Sequence, residues 1–139
     1  MTREALGAWV IKCNPHVTSL TPMVVAGAAH RSWCVADNYR SRLLRPGDRV
    51  LFWVSAHPQR GIWGAGRLTG RAEWDDGRLR VPVDIPLFGR PVTAAALIAT
   101  GSLASLEVFR SPQQANPSWV DVDEIGLIDP LLPTAAGQL

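Results

Sequence analysis

Short apolar runs, each closed by proline, glycine or a polar turn, follow one another along this chain. The run Ala8-Trp9-Val10-Ile11 is aromatic and β-branched and stops at Asn14-Pro15, where proline removes a backbone donor, so it predicts a strand. The segment from Arg49 to Ala56 (RVLFWVSA) is apolar almost throughout and predicts a strand that is covered on both faces.

Two further segments predict returning strands. Ile62 to Thr69 is interrupted by Gly64 and Gly66, and glycine inside a strand marks a sharp bend or the close approach of another backbone. The turn Asp75-Asp76-Gly77 leads into Leu79 to Leu87, where apolar and polar positions alternate. These segments indicate hairpins in a curved sheet.

Short helices are predicted between the strands. Thr93 is a favourable N-cap and Gly101 a favourable stop, and Pro46-Gly47-Asp48 is a strong turn signal. The segments with helical character are Thr18 to Ala29, Asn38 to Leu44, Thr93 to Thr100 and Asp121 to Ile128. We expect Leu106 to Phe109 to be a last strand, Pro130 onward to be a frayed or packed tail, and Trp33 to lie on a loop between helices.

Length and composition fit one domain that spans residues 1–139. Of the 139 residues 47% are apolar and 19% charged, which is enough apolar surface for a core, and no repeat or linker interrupts the chain. No stretch approaches the about 20 apolar residues of a membrane-spanning helix. The first residues lack the apolar run of a signal peptide, so we expect a cytoplasmic location.

Metal and disulfide chemistry find little support in the sequence. Cys13 and Cys34 are far apart and form no ligand spacing with the three histidines. We therefore expect two buried free thiols, no metal and no cofactor.

Charge is unevenly distributed. From Ala29 to Arg90 eleven arginines stand against six acidic residues, a net of +5, whereas from Pro91 onward one arginine stands against five acidic residues, a net of −4. A basic middle suits either a phosphate-facing surface or an ordinary solvated face.

Four segments in order resemble elements of known domains. Trp9 to His16 (WVIKCNPH) resembles the first strand of YTH domains, I-K-S-N-x-H, with Cys13 in place of serine. The stretch from Trp33 to Arg42 is similar to the W-x-x-V-x-N-Y-x-A-R element of EVE domains, with Ser41 in place of alanine. The last two segments also resemble EVE domains: Gly47–Phe52 (GDRVLF) is similar to their G-D-x-V-L-F element, and Gly61–Gly66 (GIWGAG) is similar to their G-I-x-G-x-G element. The chain therefore resembles an EVE domain, which is PUA-like and related to YTH domains.

The resemblance implies an α+β fold, a PUA-like compact mixed β-barrel of about five to six strands with short helices packed outside. It also implies one pocket for an unpaired or flipped, often methylated base of RNA or DNA. Such a pocket needs a flat apolar face and a few donors and acceptors for the base edge. The residues expected in the pocket are Lys12, Cys13, Asn14, Trp33, Cys34, Asn38, Trp53 and Trp74, and those expected to contact phosphate are Arg40, Arg42 and Arg45.

Several of these residues have a second interpretation. Asn38 either reads a base edge or caps the helix that follows it. Trp53 either lines the pocket or packs on Trp63, and Trp74 either forms a second wall or packs on the end of the barrel. The arginines contact phosphate or remain solvated.

Two other functions compete with base binding. ASCH barrels of the same superfamily include amidohydrolases built on a lysine, a hydroxyl residue and a glutamate, a set that this chain would draw from Lys12, Thr18 or Thr69, and Glu73. Their G-x-K-x-x-x-x-R motif is absent around Lys12, so binding is favoured over catalysis. A structural or interaction domain with a vestigial pocket is the third interpretation, and it predicts that Trp33 is fully buried with no adjoining cavity.

Overall fold

The computed structural model describes residues 1–133 and shows a curled sheet surrounded by short helices. The strands are β1 (Leu6–Cys13), β2 (Ser32–Cys34), β3 (Arg49–Val54), β4 (Gly61–Leu68), β5 (Glu73–Asp75), β6 (Arg78–Asp84), β7 (Leu87–Thr93) and β8 (Ser118–Asp121). The helices are α1 (Thr21–Ala26), α2 (Tyr39–Leu43), α3 (Ala94–Ile98), α4 (Glu107–Arg110) and α5 (Val122–Ile128), and 3-10 helices cover Gly101–Ser105 and Asp129–Leu131.

The strand order places β1 next to its parallel partner β3. The sheet runs β2-β6-β4-β3-β1-β8, with β5 paired to β6 and β7 paired to β4. Because β1 and β3 are parallel, the chain between them must cross over, and this crossover carries α1, β2 and α2. The α+β architecture, a curled sheet with short helices, confirms the predicted PUA-like fold class.

Both faces of β1 and β3 are buried, which for β3 confirms the prediction from its apolar run. On one face Ile11 and Phe52 pack with Trp33 in a core inside the curl of the sheet. On the other face Val10 and Trp53 belong to a second core, which includes residues of α3 and α5. The end of β1 therefore lies between two packed cores.

The glycines of β4 lie where another backbone crosses closely, as predicted. A Cβ atom on Gly64 would lie 2.6 Å from the Pro86 carbonyl oxygen, and one on Gly66 would overlap the Asp84 carbonyl. The hairpin turn between β5 and β6 is also confirmed, since Asp76 and Gly77 adopt φ values of 50° and 78°.

Three local predictions are wrong or too long. Leu106 to Phe109 is not a strand: α4 begins at Glu107, whose carboxylate binds an arginine of α2, and the last strand is β8. Trp33 lies in β2 rather than on a loop, because pairing with β6 orders a strand too short to show a period. The first helix covers only Thr21–Ala26 and ends where Gly27 adopts a φ of 73°.

The C-terminal prediction is covered only in part. Pro130 lies in the 3-10 helix Asp129–Leu131, and the tail after residue 133 lies outside the described residues. Within residues 1–133, every helix is too short or too polar to cross a membrane.

Candidate functional site

A cleft of about 720 Å³ lies between the end of β1, the loop that follows it and the β2 region. We call it the β1–β2 cleft. Its volume is within the about 300–1,000 Å³ typical of small-molecule sites. Its lining consists of Lys12, Asn14, Val17, Thr18, His30, Arg31, Ser32, Trp33, Cys34, Arg78, Arg80 and Asn116.

Trp33 forms an anchored wall of this cleft. Its side chain points into the core, where its ring centroid lies 5.3 Å from that of Phe52, and its indole N–H donates to the His30 carbonyl at 2.7 Å. The residue is 8% exposed, and the exposed part faces the cleft together with the exposed His30. The arrangement expected of a vestigial pocket, a fully buried Trp33 with no cavity beside it, is therefore not observed.

The end of β1 is held by a side chain from a distant loop. The Asn116 amide accepts from the Lys12 backbone N–H at 2.8 Å and donates to the Lys12 carbonyl at 3.1 Å, so it replaces a strand neighbour. Asn14 lies just beyond, and its side-chain oxygen accepts from the His16 N–H. The amide N–H groups of Asn14 make no hydrogen bond within residues 1–133 and remain available at the cleft.

The Lys12 ammonium is directed to the same distant loop. It donates to the carbonyls of Pro112 and Gln114. Burial lowers the pKa of Lys12, the Glu107 carboxylate acts in the opposite direction, and the Arg40 charge adds a smaller lowering. The lysine therefore positions this loop while its stem lines the cleft.

The two thiols differ in exposure, so the prediction that both are buried is wrong for one of them. Cys34 is exposed at the cleft, because it alternates with the inward-pointing Trp33 along β2. Cys13 is buried beneath the cleft, and its Sγ lies 3.7 Å from the Thr18 carbonyl oxygen. Burial raises the pKa of the Cys13 thiol to about 11.

Positive charge borders the β1–β2 cleft. Arg31, Arg78 and Arg80 line it together with Lys12, and its lining includes no aspartate or glutamate. Within the described part of the chain, ion pairs are made by other arginines, namely Arg3, Arg40, Arg42 and Arg49. The cleft therefore offers several guanidinium groups to an anionic ligand.

A smaller cleft of about 330 Å³ lies on the other side of Asn116 and shares Lys12 and Asn14 with the first. Trp53 lines it and is nearly buried, with its ring edge-on to Phe109 at 5.5 Å. Trp53 does not pack on Trp63, which instead contacts His57. Trp53 thus lies away from the β1–β2 cleft.

Trp74 lines a third cleft of about 400 Å³, which we call the Trp74 cleft. It meets the β1–β2 cleft at Ser32 and Arg80, which line both. Trp74 is neither packed on the end of the barrel nor among the lining residues of the β1–β2 cleft.

Asn38 and Arg40 are engaged in structural contacts. The Asn38 side chain caps α2 by accepting from the backbone N–H groups of Arg40 and Ser41. The Arg40 guanidinium forms a bidentate pair with Glu107 at 2.7 and 2.8 Å and also donates to the Pro117 carbonyl. Burial on its own would raise the pKa of Glu107, but the Arg40 contacts lower it below its ordinary value.

Arg42 and Arg45 lie on the surface away from the cleft lining. Arg42 pairs with Asp37 at 3.2 Å in an exposed contact. Arg45 is exposed, and its backbone N–H donates to Asp48. Neither belongs to the lining of the three clefts described above.

The side chains of the amidohydrolase alternative are distributed over two clefts. Lys12 and Thr18 line the β1–β2 cleft, whereas Glu73 lines the Trp74 cleft. Residues 1–133 contain no cluster of three histidine, cysteine or acidic residues suited to a metal.

Sequence reasoning did not identify several lining residues. Asn116 lies 104 positions from Lys12, and no local pattern marks its role. Arg31 and His30 precede a strand that was not predicted. Arg78 and Arg80 could have been found, because alternation along β6 places them on one face opposite the inward-facing Leu79.

Comparison with known proteins provides a family match. A family model described as EVE domain matches residues 7–128. No curated protein matched the chain significantly.

Several solved structures share the fold. The NMR structure of a protein from Rhodopseudomonas palustris is 25% identical, with a TM-score of 0.69, and the match covers 89% of this chain and 91% of that one. A protein from Leishmania major is 20% identical, with a TM-score of 0.70 and coverage of 94% and 96%. Human THYN1, in complex with DNA containing 5-methylcytosine, is 16% identical, with a TM-score of 0.58 and coverage of 91% and 98%.

Proposed function

The chain belongs to the EVE domain family, and on that premise we propose that it binds nucleic acid by holding one unpaired or flipped base, of a modified kind, in the β1–β2 cleft. The human THYN1 complex supports the ligand class, since a protein of the same fold holds DNA containing 5-methylcytosine. The cleft itself supports the location.

The observation that carries the proposal is the combination of an anchored aromatic wall with a basic rim. Trp33 and His30 give the base apolar ring surface, and the Asn14 amide offers donors for its edge. Arg31, Arg78 and the other cations of the rim match the phosphates on either side of the base. Recognition of a base outside a duplex combines stacking on a flat side chain with hydrogen bonds to the base edge, and phosphate contacts position the backbone on either side.

The proposal includes fewer residues than the set predicted from the sequence. Lys12, Asn14, Trp33 and Cys34 line the cleft and stay in the proposal. Cys13 supports it from beneath, since its side chain is buried.

Six other residues of the predicted set are left out of this cleft. Trp53 lines the smaller cleft and Trp74 lines the Trp74 cleft. Asn38 and Arg40 already have internal partners, and Arg42 and Arg45 lie elsewhere on the surface. The phosphate contacts are assigned instead to Arg31, Arg78 and Arg80, all of which line the cleft.

The proposal is tested with short single-stranded DNA that carries one central 5-methylcytosine, with cytosine as the comparison base. Binding is measured by fluorescence anisotropy between 50 and 200 mM salt. For single strands the slope of log K against log salt is about −0.7 per neutralised phosphate. We expect Arg31→Gln with Arg78→Gln to flatten this slope by about 1.4 and to weaken binding to both oligonucleotides alike.

The matched control is Arg42→Gln with Arg45→Gln, which removes the same charge from a surface outside the cleft. Its salt slope should stay close to that of the wild type. If the two double variants have equal slopes, or if the control loses more affinity, the basic rim of the cleft is not the phosphate-binding surface.

A further inference from the structure

Among the tryptophan, tyrosine and phenylalanine side chains of residues 1–133, that of Trp74 is the most exposed. It is 63% exposed and lies at the centre of β5, a three-residue strand at the edge of the sheet. The strand pairs with β6, where Leu79 stands opposite Trp74. Burial of a large aromatic side chain is normally favourable, so its exposure beside a cleft leaves a flat apolar surface without an internal partner.

The Trp74 cleft adjoins the proposed base site. Ser32 and Arg80 line both clefts, so the two clefts are neighbours on the surface. A single strand of nucleic acid that places one base in the β1–β2 cleft must continue across an adjoining surface of the protein. The Trp74 cleft is adjoining and supplies an aromatic face.

The chemistry of the Trp74 cleft suits a base better than a phosphate. Arg71 and Arg80 are balanced there by Glu73 and Asp75, and Glu73 stands directly opposite Arg80 in the β5–β6 pair. With two guanidinium and two carboxylate groups this cleft has no net charge, so it attracts a phosphate less strongly than the β1–β2 cleft, whose lining has no carboxylate. The edge of a base carries donors and acceptors side by side, and guanidinium and carboxylate groups match both.

We propose that Trp74 stacks on the nucleotide adjacent to the one held in the β1–β2 cleft, so that the protein contacts two successive bases with two different surfaces. This inference rests on the proposed function. Base–aromatic stacking tolerates every base, so this second contact adds affinity with little sequence preference.

The experiment compares two probes on the full chain. One is the mononucleotide of 5-methylcytosine, titrated by NMR, and the other is a five-nucleotide single strand with 5-methylcytosine at its centre, measured by anisotropy. Trp74→Ala should leave the mononucleotide affinity within about twofold. The same variant should weaken the five-nucleotide strand by about 5- to 150-fold, the range that corresponds to about 1–3 kcal/mol of stacking.

Two further readouts separate stacking from a general surface effect. Trp74→Phe should retain most of the affinity, because it keeps an aromatic face, and the salt slope of Trp74→Ala should equal that of the wild type. Tyr39→Ala is the control, since Tyr39 is also an exposed aromatic residue but does not line either cleft. Circular dichroism should show that all three variants fold.

Each contrary result has a distinct meaning. Equal affinity of the wild type and Trp74→Ala for the five-nucleotide strand would overturn the stacking role while leaving the base site intact. Equal losses with both probes would place Trp74 in the first base site. Loss of self-association in Trp74→Ala, with strand binding unchanged, would assign the exposed ring to contacts between copies. If the wild type binds neither probe, both this inference and the proposed function are wrong.

Discussion

Replacement of Trp33 tests whether a residue can be at once part of the core and part of the site. The ring packs on Phe52 in the interior, its N–H donates to the His30 carbonyl, and only a small part reaches the cleft. Trp33→Ala therefore removes both a core contact and the wall of the proposed site.

The magnitude follows from burial. Truncation of a buried tryptophan to alanine costs about 3–5 kcal/mol, a large share of the about 5–15 kcal/mol that stabilises a typical domain. Trp33→Phe keeps an aromatic contact with Phe52 but loses the indole N–H donor and part of the ring. We expect it to cost about 1–2 kcal/mol, which combines a lost hydrogen bond with a small loss of packing.

Urea unfolding provides the free energy of each variant, and anisotropy at a concentration where the protein is folded provides the affinity. Trp33→Phe should fold cooperatively and bind the 5-methylcytosine strand several-fold more weakly than the wild type, since the smaller ring retracts the cleft wall. A Trp33→Ala protein within about 1 kcal/mol of wild-type stability would contradict the core role, given the expected cost of a buried truncation. Unchanged affinity in Trp33→Phe would contradict the cleft role.

Two further predictions concern the thiols and the buried ion pair. Maleimide should modify Cys34 quickly and Cys13 slowly, because Cys34 is exposed and burial raises the pKa of Cys13 to about 11. Bound oligonucleotide should slow the fast reaction at Cys34, and Cys34→Ser should abolish that reaction. Equal rates for both thiols would contradict this arrangement. Glu107→Gln should destabilise the protein by about 3–5 kcal/mol at pH 7, since it leaves Arg40 buried beside a neutral partner. The pKa of Glu107 is lowered in the folded state, so its carboxylate stabilises the fold at pH values above the ordinary pKa of 4.5. This stabilisation is lost as the pH falls through the lowered, folded-state pKa, so the urea midpoints of variant and wild type should converge in acid.

The parts of the fold that were predictable are those specified by local composition. The β-branched and aromatic runs of β1 and β3 strongly favour β-strands, and Asp76-Gly77 favours a tight hairpin turn. The strand β2 and the helix α4 were missed because three or four residues cannot display a period. Their conformations depend on partners elsewhere in the chain.

The site was predictable only where residue type and chain position agree. Asn14 and Trp33 could be placed near each other through resemblance, and the structure brings both to one cleft. Arg40 could not be assigned, because the partner that removes it from the surface is 67 positions away. A guanidinium group pairs well with either a carboxylate or a phosphate, and the sequence does not show which of the two lies near a given arginine.

The Asn116 amide at the end of β1 has a consequence for solubility. On the side away from β3, β8 accompanies β1 only as far as Val10, so the Lys12 backbone would otherwise present an open donor and acceptor beside a strongly apolar strand. Such open strand edges recruit strands from other molecules. A side-chain amide carries the same donor and acceptor as a peptide group, and it occupies this edge without offering a further edge of its own. We therefore expect that removing the side-chain amide of Asn116 would open this edge to pairing with strands of other molecules.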